Sequence, residues 1–272
     1  MQTVVVIIPT FQEVLTNSQL LSLKQCFNVL KKYSIVIVCP ENLNTQLYIE
    51  ESNKNGLTLK IEKFNQKYFE GIRGYNDLLL GSSFFERFNE YEYLLIYQLD
   101  AFVFKDELID WCNKRIDYIG APWIKETAIG NSEKYLAVGN GGFSLRNISN
   151  SLRILRRIEK LRKLRWFWFK SRLQGVLKFE LFIHYSKKLW NIKSTDHLKT
   201  VLHYDYTNED EYWSLILANF FDDFKIANAS DAINFSLETN AKQLFNQNNC
   251  HLPFGCHAWE KYDPEFWKKF IM

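Results

Sequence analysis

The stretch YEYLLIYQLDAFVF, Tyr91 to Phe104, decides the fold. Its run YLLIYQL is short, aliphatic and aromatic, and follows the polar segment ERFNEYE, which marks a buried central strand. One carboxylate, Asp100, closes the run before apolar residues resume. An aspartate at the carboxyl end of such a strand sits where open α/β sheets bind their ligands. An isolated LDA tripeptide is more often a turn or a cap, so the weight falls on the segments around it.

Upstream, strand and helix patterns alternate. TVVVIIPT reads as a first strand and LLSLKQCFNVLKKY as a helix with Leu20, Leu23, Phe27 and Leu30 on one side. SIVIVCP is a second strand stopped by Pro40, LTLKIEKF a third, and GIRGYNDLLLGSSFFERF a loop entering a helix. Repeated β-α-β units with near-continuous apolar strands predict a parallel sheet covered on both faces, a Rossmann-like nucleotide-binding half. No GxGxxG follows the first strand. Pro9 and Thr10 occupy that turn, which disfavours a dinucleotide-dependent dehydrogenase.

Composition bounds the rest. The chain has 272 residues, 47% hydrophobic and 24% charged, enough for a sizeable core and too apolar for disorder. Five cysteines form neither a CxxC pair nor a zinc spacing, and three lie in apolar surroundings, as reduced core thiols do. QTVVVIIPT lacks a basic n-region and reads as a strand, and no apolar run reaches the roughly 20 residues that span a bilayer. A cytoplasmic location is expected, peripheral on the inner face of the membrane if a surface element provides it.

Downstream of Asp100 the pattern is less regular. RIDYIGAPW, Arg115 to Trp123, reads as a short strand ended by a Gly-Ala-Pro turn. VGNGGFSLRN is a glycine-rich loop entering a strand, where glycines permit close backbone approach or positive φ. NEDEYW sets three acids before the helical pattern WSLILANFF, and PFGCHAW places His257 in a Gly- and Pro-containing loop. Taken singly, these are a hairpin, a helix cap and a packing histidine.

Their order is informative. A strand-end aspartate, a glycine-rich loop, acids opening a helix and a late histidine resemble the motif series of GT-A nucleotide-sugar glycosyltransferases. QLDAFVF, DYIGAPW, GNGGFSLR, NEDEYW and PFGCHAW, with FEGIRGYNDLLL upstream, resemble a bacterial family first catalogued as a domain of unknown function and regarded as glycosyltransferases. The resemblance covers residues 1–123, 138–146 and 208–259. It implies an α/β GT-A fold in a single domain over 1–272, with 151–207 as a helical insertion on the acceptor side. The activity it implies is hexosyl transfer from a nucleoside-diphosphate sugar to a hydroxyl of a glycan or lipid-linked acceptor, in bacterial surface polysaccharide or glycoconjugate synthesis.

The resemblance also distributes roles. Asp100 and His257 would ligate Mn²⁺ or Mg²⁺, which offsets charge on the departing diphosphate. Gln98 stands where the DxD triplet has its first aspartate, which leaves fewer anionic ligands. Oxygen donors with one imidazole suit these ions better than zinc. Asp210 would be the general base of an inverting displacement, with Glu209 orienting the acceptor. Glu211, about 100° further round a helix, cannot serve the same face. Gly141 and Gly142 would lie beside the donor sugar, Arg73 and Asn76 by the diphosphate, and Pro9 and Thr10 by the base and ribose. A nucleotide-sugar or glycan-binding protein weakened in catalysis is the rival, suggested by Gln98. A nucleotidyltransferase would need a phosphate-gripping loop that IIPTFQE lacks.

Ser151 to Arg172 holds nine Lys/Arg and one Glu, a charge of +8 in a chain of +3. Ile154, Leu155, Ile158, Leu161 and Trp168 fall on one helical face, and Arg153, Arg156, Arg157, Lys160 and Lys163 on the other. WFWF follows. A basic amphipathic helix of this kind fits a membrane surface, or packs on the domain with a solvated basic face. Nucleic acid is not an expected partner, because the other motifs have no place in that function.

Overall fold

The computed structural model describes residues 2–124, 135–172, 187, 191–203 and 208–271. Side chains of residues 135, 136 and 165–172 lie outside the described set. The protein is mixed α/β with a mostly parallel central sheet whose strands lie side by side in the order Lys60–Phe64, Ser34–Pro40, Gln2–Pro9, Tyr91–Tyr97, Phe143–Asn147 and Tyr118–Ile119. Strands β1 (Gln2–Pro9), β2 (Ser34–Pro40), β3 (Lys60–Phe64) and β4 (Tyr91–Tyr97) are parallel. β9 (Phe143–Asn147) runs antiparallel to β4 and to the short β6 (Tyr118–Ile119).

Alternation along each apolar strand feeds two cores. Val5, Ile7, Leu94 and Ile96 face one side, and Val4, Val6, Ile8 and Leu95 the other. The second face is covered by α1 (Asn17–Val29) through Leu23, Cys26 and Phe27, and by Tyr48 of α2 (Gln46–Lys54). Thr16 caps α1 in a capping box with Gln19, which fixes where that helix starts. α2 escapes the sequence pattern, since QLYIEESNK is mostly polar and little buried.

From β1 the chain steps outward to β2 and β3, then returns to the other side of β1 as β4. This reversal opens a crevice beyond the carboxyl ends of β1 and β4, the place where such sheets bind ligands. α3 (Gly71–Leu79) and α4 (Ser82–Glu86) lead into β4, and a short 3₁₀ helix (Gln66–Phe69) precedes them.

Two expectations are corrected. The Gly-Ala-Pro segment is no turn: the chain continues through Gly120 into β7 (Ala121–Ile124), which pairs with β8 (Tyr135–Gly139). Pro122 is tolerated because β7 belongs to a two-stranded ribbon of its own. His257 ends a strand, β11 (Gly255–His257), instead of lying in a loop.

The basic segment is helical, as α6 (Ile148–Arg172), but its apolar stripe is taken. Ile154, Leu155, Ile158 and Leu161 are buried in the same core as Phe84 and Phe85 of α4. Four of its arginines are also committed. Arg153 and Arg157 converge on Asp223, and Arg156 pairs with Glu86. Arg162 donates to the Val201 carbonyl at 2.8 Å. Up to Leu161 the helix packs on the domain, so this stripe is not free to enter a bilayer. The side chain of Trp168 lies outside the described set. Among those residues no helix is long and apolar enough to cross a membrane.

Candidate active site

A cleft of about 680 Å³ opens at the sheet's reversal. Most sequence-predicted positions meet there: Pro9, Thr10, Asn76, Gln98, Asp100, Gly141, Gly142, Glu209, Asp210 and His257. Arg73 does not. On α3, Ile72, Tyr75 and Asn76 turn toward the cleft. Arg73 is exposed and lines a separate hollow with Asp77, four residues on and hence on the same helix face.

Asp100 is placed by a turn. β4 stops at Tyr97, and the Ala101 amide donates to the Gln98 carbonyl at 2.9 Å. The chain then re-enters a strand, β5 (Ala101–Val103), antiparallel to β11 with Ala101 opposite His257. This register brings Asp100 Oδ1 to 3.1 Å from His257 Nε2. Gln98 Oε1 lies 3.2 Å from the same nitrogen. The other ring nitrogen, Nδ1, is 3.0 Å from Glu238 Oε1. Burial alone would lower the histidine, but its hydrogen bonds to Asp100 and Glu238 outweigh burial and raise it to about 9. For Asp100, burial pushes the carboxyl up and the His257 hydrogen bond and charge hold it below its ordinary value.

The glycine-rich loop uses close approach and not positive φ at its glycines. The left-handed residue is Asn140, at φ 106°, whose side chain accepts from the Gly142 and Phe143 amides. A Cβ at Gly142 would lie 1.9 Å from His257 Nε2, so only glycine lets β9 begin there.

Asp210 faces the same loop. Its Oδ2 accepts from the Asn140 and Gly141 amides at 3.1 Å each, and Oδ1 from the Glu211 amide at 2.9 Å. It sits in the first turn of Glu209–Glu211, which continues as a π-helix over Tyr212–Leu217 where the sequence suggests an ordinary α-helix. Wide turns of this kind are frequent at functional sites.

Glu209 is not free to orient an acceptor. Arg146 Nη1 and Nη2 donate to its two carboxylate oxygens at 2.8 and 2.7 Å, and both residues are buried. Asn76, expected by the diphosphate, accepts from the Glu209 amide at 3.1 Å. Thr10, expected by the ribose, is buried and shares a 2.8 Å hydrogen bond with Tyr48 OH. Glu238, Lys261 and Tyr75 also line the cleft and escape the sequence reading. Glu238 carried no signal, a lone acid in SLETN. Lys261 follows His257 by one helical turn's spacing in HAWEK, a faint hint, and Tyr75 sits inside GIRGYN.

The donor set suits one class of ion. Among the described residues no three His, Cys, Asp or Glu side chains are arranged to hold a metal. Asp100 and His257 would supply two ligands and leave the other positions to phosphate and water, the manner in which Mg²⁺ and Mn²⁺ are held with phosphorylated substrates. The described lining also lacks spare positive charge. Asp100, Asp210 and Glu238 stand against Lys261 and His257, while Glu209 is neutralised by Arg146. A diphosphate entering this cleft needs a cation with it.

The solved structures similar to this chain include glycosyltransferases, at low identity. TarS of S. aureus is 16% identical, covering 58% of this chain and 30% of its own, with a TM-score of 0.37. This chain therefore spans under a third of that protein. A glycosyltransferase involved in glycosylation of the major capsid of PBCV-1 is 12% identical, with 98% of each chain covered and a TM-score of 0.41. Core-mannan synthase A from Aspergillus fumigatus, in a Mn/GDP form, is 10% identical, covering 83% of this chain and 72% of its own, with a TM-score of 0.47. No curated protein matches. The family described as "Protein of unknown function (DUF5672)" matches residues 58–257, a span from just before β3 to the cleft histidine, and the chain belongs to it.

Proposed function

We propose that this protein is a GT-A glycosyltransferase. It would move a sugar from a nucleoside-diphosphate donor to a hydroxyl of a glycan or lipid-linked acceptor, with inversion and with Mn²⁺ or Mg²⁺. The observation that carries the proposal is one cleft at the sheet reversal holding both the Asp100–His257 pair and the amide-cradled Asp210.

Asp210 Oδ2 is fixed by two backbone amides and keeps lone-pair capacity for a proton. In the reaction the acceptor oxygen forms the new bond to the anomeric carbon and its proton passes to Asp210. The bond from that carbon to the diphosphate oxygen breaks, and the electron pair leaves with the diphosphate. Asp100 and His257 would hold the ion, which supplies Lewis-acid stabilisation of the leaving group. Lys261, on the rim, adds a positive charge on the same side as Asp100 and Glu238. Glu238 turns the imidazole so that Nε2 faces Asp100. Pro9 and Thr10 lie at the end of β1 for the nucleoside, and Gly141 and Gly142 offer backbone to the sugar.

A thermal-shift panel of UDP-, GDP- and CDP-sugars, with and without Mn²⁺, tests this directly. Stabilisation by one nucleotide class only when Mn²⁺ is present is the expected result. No shift with any nucleotide sugar would remove the proposal.

A further inference from the structure

Behind Asp210 lies a buried ion pair that the proposed chemistry does not use. The Arg146 guanidinium meets Glu209 fork to fork, and its Nε and Nη2 donate to Ser144 Oγ at 3.2 and 3.0 Å. Its flat face lies 5.2 Å from the centre of the Tyr118 ring. The two side chains are 0% and 3% exposed. On its other side, Glu209 is tied to α3 through Asn76. Its Oε1 also packs against the loop: a Cβ at Gly141 would lie 2.7 Å from it.

Both halves of the Asp210 cradle are therefore referenced to one guanidinium. Glu209 precedes Asp210 at the start of the helix, and Arg146 stands on the strand that leaves the Asn140–Gly142 loop. Burying two charges brings little net stability, because desolvation consumes most of the attraction. What a two-pronged pair adds is fixed distance and angle, which a lysine cannot reproduce.

We propose that Arg146, acting through Glu209, is the positioning residue that holds Asp210 Oδ2 against the Asn140 and Gly141 amides. The consequence for turnover rests on the reading of Asp210 as general base, while the geometry is testable without substrate.

The double variant Arg146→Met/Glu209→Leu removes both charges at similar volume and leaves neither one unpaired. Arg146→Lys keeps the charge and loses the fork. Amide hydrogen exchange at Asn140 and Gly141, followed by NMR, reads the cradle, and thermal unfolding reads the fold. We expect exchange at both amides to quicken at least about tenfold in either variant while β1 and β2 stay protected. With the UDP-, GDP- and CDP-sugar panel, kcat should fall at least about tenfold with KM little changed. Unchanged exchange at both amides, or wild-type kcat in the double variant, overturns the proposal. If the double variant does not fold, Arg146→Lys decides by the same exchange measurement. Quickened exchange in a protein whose wild type turns over no nucleotide sugar keeps the positioning role and removes the proposed function.

Discussion

Replacing Gly142 by alanine separates the cleft's packing from its chemistry. The added Cβ would lie 1.9 Å from His257 Nε2, 2.4 Å from Cδ2 and 2.5 Å from Cε1. The ring must withdraw by about 1.5 Å to regain ordinary contact. Nε2 lies 3.1 Å from Asp100 and 3.2 Å from Gln98, so a displacement of that size is expected to disturb both contacts. Hydrogen bonds to charged groups are worth roughly 1.5–3 kcal/mol when buried. Asp100 is 45% exposed, so solvent reduces its share. Overpacking adds about 1–3 kcal/mol of strain, partly relieved by the same ring movement. A net destabilisation of about 2 kcal/mol is expected, too little to unfold a domain of ordinary stability. Moving a metal ligand out of place should cost about 10–100-fold in Mn²⁺-dependent nucleotide affinity. Isothermal titration of Mn²⁺ with UDP and GDP, beside thermal unfolding, measures both effects. Wild-type Mn²⁺-dependent affinity in Gly142→Ala would refute the assignment of His257 to the ion.

Three further outcomes follow from the geometry. Asp210→Asn should bind donor normally and lose at least about 10²-fold in turnover, measured as kcat against KM; near-normal turnover would move the base elsewhere. In the metal-free protein the raised His257 pKa stabilises the fold fully below about 6.5, and this stabilisation fades as pH rises toward about 9. After allowance for solvent at Asp100 it amounts to on the order of 2 kcal/mol, and His257→Gln should flatten that slope in urea titrations at pH 6 to 9. Because an ion requires the neutral ring, Mn²⁺ affinity should rise over the same interval. Asp223→Ala leaves Arg153 and Arg157 without their shared carboxylate and should cost about 1–2 kcal/mol, seen as a melting temperature lower by a few degrees, with no change in nucleotide binding.

The sheet is legible in the sequence because parallel strands buried on both faces leave near-continuous apolar runs, as in VVVIIP, SIVIVCP and YEYLLIYQL. Asp100 leaves a local mark as a carboxylate at a strand end, whereas the glycine loop, Asp210 and His257 read singly as a hairpin, a cap and a packing residue and enter the candidate site only through the resemblance of the motif series. Pairings between distant segments leave none. Glu238 meets His257 only through the parallel register of the short strand Ser236–Leu237 against β11, in which Leu237 pairs with Cys256. Arg146 stands within GNGGFSLR, yet its partner is 63 residues away. Arg73 reads as a phosphate ligand by residue type, and the helix phase of α3 turns it outward. The basic stripe of α6 has the pattern of a membrane helix. Its acidic partners Glu86 and Asp223 come from elsewhere in the chain.

The central claim is that Asp100 and His257 hold a divalent ion through which a nucleoside-diphosphate sugar binds in this cleft. Titration of Mn²⁺ and the nucleotide selected by the thermal-shift panel into wild type and Asp100→Ala tests it most directly. Binding in wild type should disappear on chelation and weaken at least about tenfold in Asp100→Ala, with the melting temperature of the metal-free protein little changed. Equal Mn²⁺-dependent binding in the two proteins would contradict it.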